Sequence, residues 1–223
     1  MPLPSNNIPD LAQIPSTSDV ILKYIRSSII DGSLAGGETI RQDEVAQLFN
    51  VSKIPVREAL KQLESEGFVE FKRNKGAIVT ELTEPEIIQI FEMRAILESR
   101  TVELSIPNMT KETLEKASLY CHQFQEEKDV SKWALLNWQF HSSLFEDANR
   151  PFFVKTIRSL NDRLERYLRI QLSLSHGKNL ADKEHLLLLN ACRDKNVSYA
   201  GELLYSHIMS ACKSLRSSLS LIK

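Results

Sequence analysis

Four side chains in the C-terminal half of the chain have the types and spacing of a metal site. Asn137 and His141 are four positions apart, which places them on one face of a helix. His185 and His207 fall in two later helical segments. Three imidazoles and an amide oxygen that converge in a helical core can hold a first-row divalent metal. Histidines on apolar helix faces also occur as ordinary hydrogen-bonded core residues, and the spacing leaves both interpretations open.

The sequence predicts a helical domain over 83–220, which could bring these four residues together. Strand signals are almost absent there, and helix-breaking residues fall at or near the boundaries of six predicted helices. The helices are 83–105, 110–128, 131–148, 151–175, 182–194 and 198–219. Short connections between consecutive helices favour an antiparallel bundle of six to seven helices, so the predicted fold class is mainly α.

A second pattern, over 42–67, predicts two short helices joined by a tight turn. Apolar residues recur at helical spacing over 42–50, and Ser52 then offers a favourable N-cap. Pro55 falls in the first turn of the next helix, where its missing N–H is tolerated, and Gly67 ends that helix. Such a pair is a helix-turn-helix, which presents the N-terminal end of its second helix to the DNA major groove.

A small β-hairpin with a basic tip is predicted directly after these helices. The runs 68–71 and 77–79 are short and β-prone, and 72–76 between them supplies the turn. Lysine and arginine at the tip suit phosphates or the minor groove, and Gly76 permits close approach of the backbone. The hairpin is therefore predicted to be a wing, which makes 16–80 a winged helix-turn-helix domain.

Seven residues of this domain are predicted to contact DNA. They are Ser52, Lys53, Pro55, Arg57, Arg73, Lys75 and Gly76. The domain as a whole is not basic, because residues 1–82 carry 9 Lys and Arg against 11 Asp and Glu. The local excess of 6 cations against 4 acidic residues over 52–76 predicts modest non-specific affinity, so we expect a homodimer to select double-stranded operator DNA. The alternative is a small domain that binds no DNA, in which Arg57 pairs with Glu58 or Glu64.

Composition places the chain among ordinary globular proteins. Its 223 residues are 42% hydrophobic and 26% charged, with a net charge of −1, which is enough chain for two modest domains. Residues 1–15 are rich in proline and predict a flexible arm that lacks the features of a secretory signal. No apolar run approaches the ~20 residues of a membrane span. Three widely separated cysteines fit a reduced compartment, so we expect a cytoplasmic protein without a membrane partner.

A family resemblance appears in the helix-turn-helix region. The string SKIPVREALKQLESEGFVE at 52–70, followed by KGAIV at 75–79, resembles the signature of the GntR family of bacterial transcription regulators. The usual pattern begins Ser-Arg-x-Pro-Val-Arg-Glu-Ala-Leu, so Lys53 is a departure. Lysine retains the charge but lacks the planar fork with which arginine reads guanine, and this puts that single contact in question.

The helices after residue 83 resemble the FCD (FadR C-terminal) ligand-binding domain of the FadR subfamily. Many of its members bind a metal through an Asp/Asn-x-x-x-His pair and two later histidines, and Asn137, His141, His185 and His207 match that set. The resemblance implies a divalent transition metal, with zinc as the first choice and nickel, manganese or iron as alternatives. The common form has aspartate at position 137. A neutral amide there leaves the site one unit more positive, which favours an anionic organic ligand.

Arg94 is the candidate residue for binding an effector. The segment Arg94-Ala-Ile-Leu-Glu98 resembles an Arg-x-x-Leu-Glu segment in the first helix of the family's effector domain. An arginine directed into the bundle would clamp a carboxylate through two parallel hydrogen bonds. The alternative is an ordinary surface pair between Arg94 and Glu98, one helical turn apart.

Together these features predict a dimeric, sequence-specific transcription regulator and not an enzyme. In the simplest scheme the protein represses transcription, and a small carboxylate metabolite relieves the repression by binding at a metal-containing pocket of the helical domain. One alternative is a metal-dependent hydrolase that uses the histidine cluster to activate water, although no general-base motif accompanies it. The other is a regulator that senses acyl ligands without a metal.

Overall fold

The computed structural model describes residues 15–174 and 177–222, and the chain divides into two compact units. The first extends to Glu81 and the second begins at Leu82. The flexible arm predicted for residues 1–15 lies outside the described residues except for Pro15. Within the described part of the chain, no helix is long and apolar enough to cross a membrane.

From residue 15 onward, where the structure describes it, the N-terminal unit contains three helices and a three-stranded sheet. In chain order these elements are α1 (Thr17–Asp31), β1 (Thr39–Ile40), α2 (Gln42–Phe49), α3 (Lys53–Ser65), β2 (Val69–Lys72) and β3 (Gly76–Val79). The sheet is antiparallel in the order β1-β3-β2. The winged helix-turn-helix predicted from the sequence is confirmed, with one difference. The wing has a third strand, β1, because Thr39 and Ile40 pair with Ile78 and Ala77.

One apolar core holds these elements together. The isoleucines of α1 recur every four residues, at Ile21, Ile25 and Ile29, and they pack in one cluster with the buried face of α3. Asn50 adopts φ 52°, in the left-handed region, and ends α2 so that the chain can turn into α3. Gly76 has φ 83° and closes the wing tip, where a side chain would be strained. The core therefore fixes how α3 and the wing are presented to solvent.

The described residues of the C-terminal unit form six long helices. They are α4 (Glu84–Ser105), α5 (Lys111–Glu126), α6 (Val130–Ser143), α7 (Pro151–Leu174), α8 (Gly177–Arg193) and α9 (Val197–Ile222). Single helical turns at Ile106–Asn108 and Glu146–Ala148 follow α4 and α6. The mainly α bundle is confirmed.

Two helix boundaries differ from the sequence prediction. The helix expected over 131–148 ends at Ser143, because the chain breaks there and resumes as a separate turn. The helix expected over 182–194 begins five residues earlier, at Gly177. A Cβ on Gly177 would lie 2.2 Å from Nε2 of Gln171, so only glycine permits the close approach of α8 to α7 at this point. Because α8 begins at Gly177, this residue and its neighbours form part of the wall of a small cavity inside the C-terminal unit.

Candidate functional site

Three helices of the C-terminal unit bring the predicted histidines together. His141 lies on α6, His185 on α8 and His207 on α9, and all three side chains are buried. One ring nitrogen from each lies within 4.8 Å of the others, and the ring centroids are 5.0–5.3 Å apart. Asn137, one turn before His141, is buried and lines the same cavity as His141 and His207. The structure therefore gathers the four residues that the sequence singled out.

The hydrogen bonds of the histidines leave their remaining nitrogens without partners. Nδ1 of His141 lies 2.8 Å from Glu98 Oε2, and Nδ1 of His207 lies 2.6 Å from Glu184 Oε2. Each carboxylate accepts a hydrogen bond from the ring N–H, so the Nδ1–H tautomer follows for both rings and Nε2 keeps its lone pair. Among the described residues, Nε2 of His141 and both nitrogens of His185 have no hydrogen-bond partner.

Orphaned imidazole nitrogens in a core are unfavourable unless something binds them. Neutral histidine nitrogens in close proximity, backed by carboxylates on the opposite ring atom, form the donor set that a transition metal prefers. The residues present therefore fit a divalent metal. Neither Glu98 nor Glu184 was predicted from the sequence to be the hydrogen-bond partner of a histidine. Glu184 is adjacent to His185 in sequence, yet it serves His207 on another helix.

Burial keeps His141 and His185 neutral, and neighbouring groups keep Glu98 ionised. Burial lowers the pKa of His141, although the bond to Glu98 opposes this, and burial lowers the pKa of His185 well below its ordinary value. Burial would raise the pKa of Glu98, but the Arg94 cation and the bond to His141 outweigh it and hold that pKa at about 2. Neutral imidazole is the form that binds a metal, so no proton has to leave these two rings at neutral pH.

Arg94 and Glu98 form an ion pair inside the bundle. Nε of Arg94 lies 2.7 Å from Oε1 of Glu98, and the two side chains are only 2% and 0% exposed. The pair predicted as one of two alternatives is present, but its assumed surface location is wrong. Glu98 joins Arg94 on one side to His141 on the other, so a continuous polar chain runs from α4 to the histidine cluster. A buried stripe of α4 that includes Ile87, Phe91 and Val102 carries both charged residues into the core.

A small cavity lies beside this chain. Its volume is about 20 Å³, which is room for about one water molecule. Apolar side chains from α4, α7, α8 and α9 form much of its wall. Its polar lining consists of Arg94, Asn137, His141, Gln171, Glu184 and His207. An organic acid is larger than this enclosed space.

The residues predicted to contact DNA are mostly exposed in the N-terminal unit. Six of the seven are exposed, and Pro55 is half-buried in the first turn of α3. Lys53 is ion-paired with Asp43 of α2, and both side chains remain more than half exposed. Ser52 is the N-cap of α3, but its side chain makes no capping hydrogen bond.

The structure disfavours the alternative role for Arg57. Within the described residues, Arg57 forms no ion pair with either Glu58 or Glu64. Oε1 of Glu64 instead accepts a hydrogen bond of 3.2 Å from the backbone N–H of Phe71, which ties α3 to the wing strand β2. Arg57 is therefore left exposed beside the N-terminal end of α3.

A winged helix-turn-helix joined to a helical unit defines a class of DNA-binding transcription regulator, and comparison with known proteins identifies the family. Residues 17–79 match the bacterial regulatory proteins of the gntR family, and residues 89–210 match the FCD domain. The chain belongs to the GntR family and carries an FCD domain. Proteins of this family are transcription regulators and not enzymes, which removes the hydrolase alternative.

Individual relatives agree with this assignment. A GntR-family transcriptional regulator from Pseudomonas syringae pv. tomato is 33% identical, with 91% of this chain and 88% of that chain covered and a TM-score of 0.56. The gluconate operon transcriptional repressor of Bacillus subtilis is 25% identical over 190 residues, or 81% of this chain and 77% of that protein. Escherichia coli McbR/YncC shares the fold at 20% identity, with a TM-score of 0.78 over 92% of this chain and 99% of that chain.

Proposed function

We propose that this regulator is a repressor whose operator affinity is set by a small carboxylate bound at a metal centre in the C-terminal unit. One observation carries the proposal. Three buried histidines direct ring nitrogens to within 4.8 Å of one another, and nitrogens of two of them have no partner among the described residues. Such an arrangement is costly for a core that only needs to pack, and it suits a core that binds a cation.

The proposed metal ligands are Nε2 of His141, Nε2 of His207, one nitrogen of His185 and the amide oxygen of Asn137. Glu98 and Glu184 would orient two of the imidazoles from their Nδ1 atoms. The metal would supply a Lewis-acidic position to which an oxygen ligand can bind. Imidazole and amide donors suit zinc first, with nickel, manganese or iron as alternatives.

The charges around the site favour an anion. The imidazoles and Asn137 contribute no charge in this arrangement. The negative charge of Glu184 cancels half of the charge of a divalent cation, and the charges of Glu98 and Arg94 cancel each other. The sum is one positive charge in a buried site, which a monocarboxylate would neutralise. Arg94 lines the cavity and is proposed to assist the carboxylate. The gluconate operon repressor, a relative named for an operon of sugar-acid metabolism, is consistent with this ligand class.

Ligand binding would reach the DNA-reading domain through helix movement. The cavity holds about one water, so a bound acid would separate helices that the Glu98–His141 and Glu184–His207 hydrogen bonds otherwise connect. A ligand shifts the protein only by its differential affinity for the two arrangements, typically about 1–3 kcal/mol. This corresponds to roughly 5–150-fold in operator affinity.

On the DNA side, we propose that 16–80 is the DNA-binding domain and 83–220 the effector domain. The N-terminal end of α3 would enter the major groove and the wing would contact the backbone or minor groove. The proposed contacts are Ser52, Lys53, Pro55, Arg57, Arg73, Lys75 and Gly76. With little net positive charge, a single domain of this kind would bind weakly, so we propose a homodimer on a pseudo-palindromic operator. Light scattering that gave a 25.5 kDa monomer with and without operator would contradict the dimer.

The test is a His185→Ala variant, because His185 has no hydrogen bond whose loss would confuse the result. The variant should lose metal by elemental analysis and lose the effector response in an operator titration, while binding of the unliganded protein to the operator stays largely intact. His122→Ala is the matched control, since His122 is exposed and should change neither readout. A His185→Ala protein that has lost its metal yet responds fully to the acid would favour the metal-free alternative.

A further inference from the structure

The first turn of α3 carries a large apolar side chain, Ile54, that lies outside the core of the N-terminal unit. Ile54 is 70% exposed, although it follows directly after the N-terminal residue of the helix. The core-facing side of α3 consists of Val56, Ala59, Leu60 and Leu63. Helical spacing places Ile54 on the opposite side, in line with Glu58 and Lys61 at i+4 and i+7.

The surroundings of Ile54 are otherwise charged. Lys53 and Arg57 flank it on the exposed surface, and Asp43 of α2 is paired with Lys53. A single exposed isoleucine is common on protein surfaces and would need no explanation elsewhere. Its position is what matters here, since a helix-turn-helix directs the N-terminal residues of its second helix at base edges.

The major groove offers one apolar group to such a side chain. Each base pair presents hydrogen-bond donors and acceptors there, and thymine alone adds a C5-methyl group. Isoleucine has no donor or acceptor in its side chain, so it can discriminate between bases only through that methyl group. We propose that Ile54 is a specificity-determining residue that selects thymine at one position of each operator half-site.

This inference rests on the docking of α3 proposed above, and it adds a base preference to it. Lys53 and Arg57 carry charge that suits phosphates or guanine, and neither prefers thymine. Removal of one methyl group from the contact should weaken binding about fourfold, the factor expected for loss of one buried methylene-sized group. The effect should be local to one base, whereas loss of a phosphate contact weakens binding to every sequence alike.

The experiment begins with in vitro selection of a DNA sequence that the full chain binds. Each thymine of the selected site is then replaced in turn by deoxyuridine, which removes the methyl group and leaves the hydrogen-bonding edge unchanged. Wild-type protein should bind about fourfold more weakly when the sensitive thymine of either half-site is replaced. An Ile54→Ala variant should bind the thymine and deoxyuridine forms equally at that position.

Leu48→Ala is the matched control. Leu48 is an equally large aliphatic residue, 67% exposed, but it lies on α2. This variant should keep the full deoxyuridine penalty of the wild type. Both substitutions remove exposed side chains, so neither should disturb the fold.

The proposal is overturned if no thymine in the selected site is sensitive to loss of its methyl group, or if Ile54→Ala keeps the wild-type penalty. An Arg57→Ala titration separates this from failure of the docking itself. If Arg57→Ala binds as tightly as wild type, the docking is wrong and the role of Ile54 falls with it. If Arg57→Ala weakens binding and the deoxyuridine series stays flat, only the role of Ile54 is wrong.

Discussion

An ion pair in the N-terminal unit and one in the C-terminal unit differ in their exposure to solvent. Lys53 on the proposed DNA-reading surface is paired with Asp43, yet both side chains stay more than half exposed. Arg94 in the C-terminal unit is also paired with an acid, but it and Glu98 are withdrawn from water. An exposed pair exchanges readily with phosphates, whereas a buried pair is held in one geometry by the cost of separating it. The first arrangement suits a surface that must bind DNA, and the second suits a site that must keep its shape.

The largest expected effect tests the buried half of this comparison. Glu98→Gln keeps the size of the side chain but leaves Arg94 as an uncompensated buried cation, so it should cost about 3–5 kcal/mol in free energy of unfolding. Glu103→Gln on the same helix is the control. Glu103 pairs with the exposed Arg100, and the loss of such a surface pair should cost at most about 1 kcal/mol. Denaturant unfolding of both variants measures the difference, and equal costs would contradict the assigned role of burial.

Metal should stabilise the C-terminal unit by a somewhat smaller amount. A metal present at 100 times its dissociation constant raises the free energy of unfolding by about 2.7 kcal/mol if it binds only the folded state. Thermal unfolding with added zinc, and again after chelation, measures this shift. The same pair of scans on His185→Ala should coincide. Coincident scans for the wild-type protein would mean that the histidine cluster binds no metal.

The exposed surface should show effects of about 1–3 kcal/mol. Arg57→Ala should weaken operator binding by that amount and relax sequence preference, because a base-reading contact is lost. Lys75→Ala in the wing should instead weaken binding evenly across sequences and reduce the slope of affinity against salt by about one. Titrations at several salt concentrations distinguish the two. An Arg57→Ala protein with unchanged operator affinity would contradict the docking of α3.

The two sites also differ in how much of them the sequence reveals. The DNA-reading surface is continuous in sequence, and local signals such as Ser52, Pro55 and Gly67 predicted its helices without knowledge of distant residues. The third strand, Thr39–Ile40, was missed because two residues carry no measurable alternation. Strand pairing of that kind depends on a partner far along the chain.

The proposed metal centre could be predicted only in part. Its histidines were found by type and family resemblance, but Glu98 lies 43 positions before His141, and spacing cannot pair residues at that distance. One signal was available. Arg94 and Glu98 continue the apolar stripe of Ile87 and Phe91 at helical spacing, which predicts that both charged residues face the core. Charged residues in a core-facing stripe need buried partners. Glu98 has Arg94 on its own helix, and the fold supplies His141 as its second partner.

Native mass spectrometry of the purified chain tests whether the histidine cluster binds a metal and an acid together. We expect one divalent metal ion per chain and a small organic acid of defined mass, and the loss of both in His185→Ala while His122→Ala keeps both. We also expect that the acid released from the wild-type protein weakens operator binding when it is added back. A wild-type chain that carries no metal, or that responds to the same acid after its metal has been removed, would contradict the claim that this histidine cluster is the sensing site.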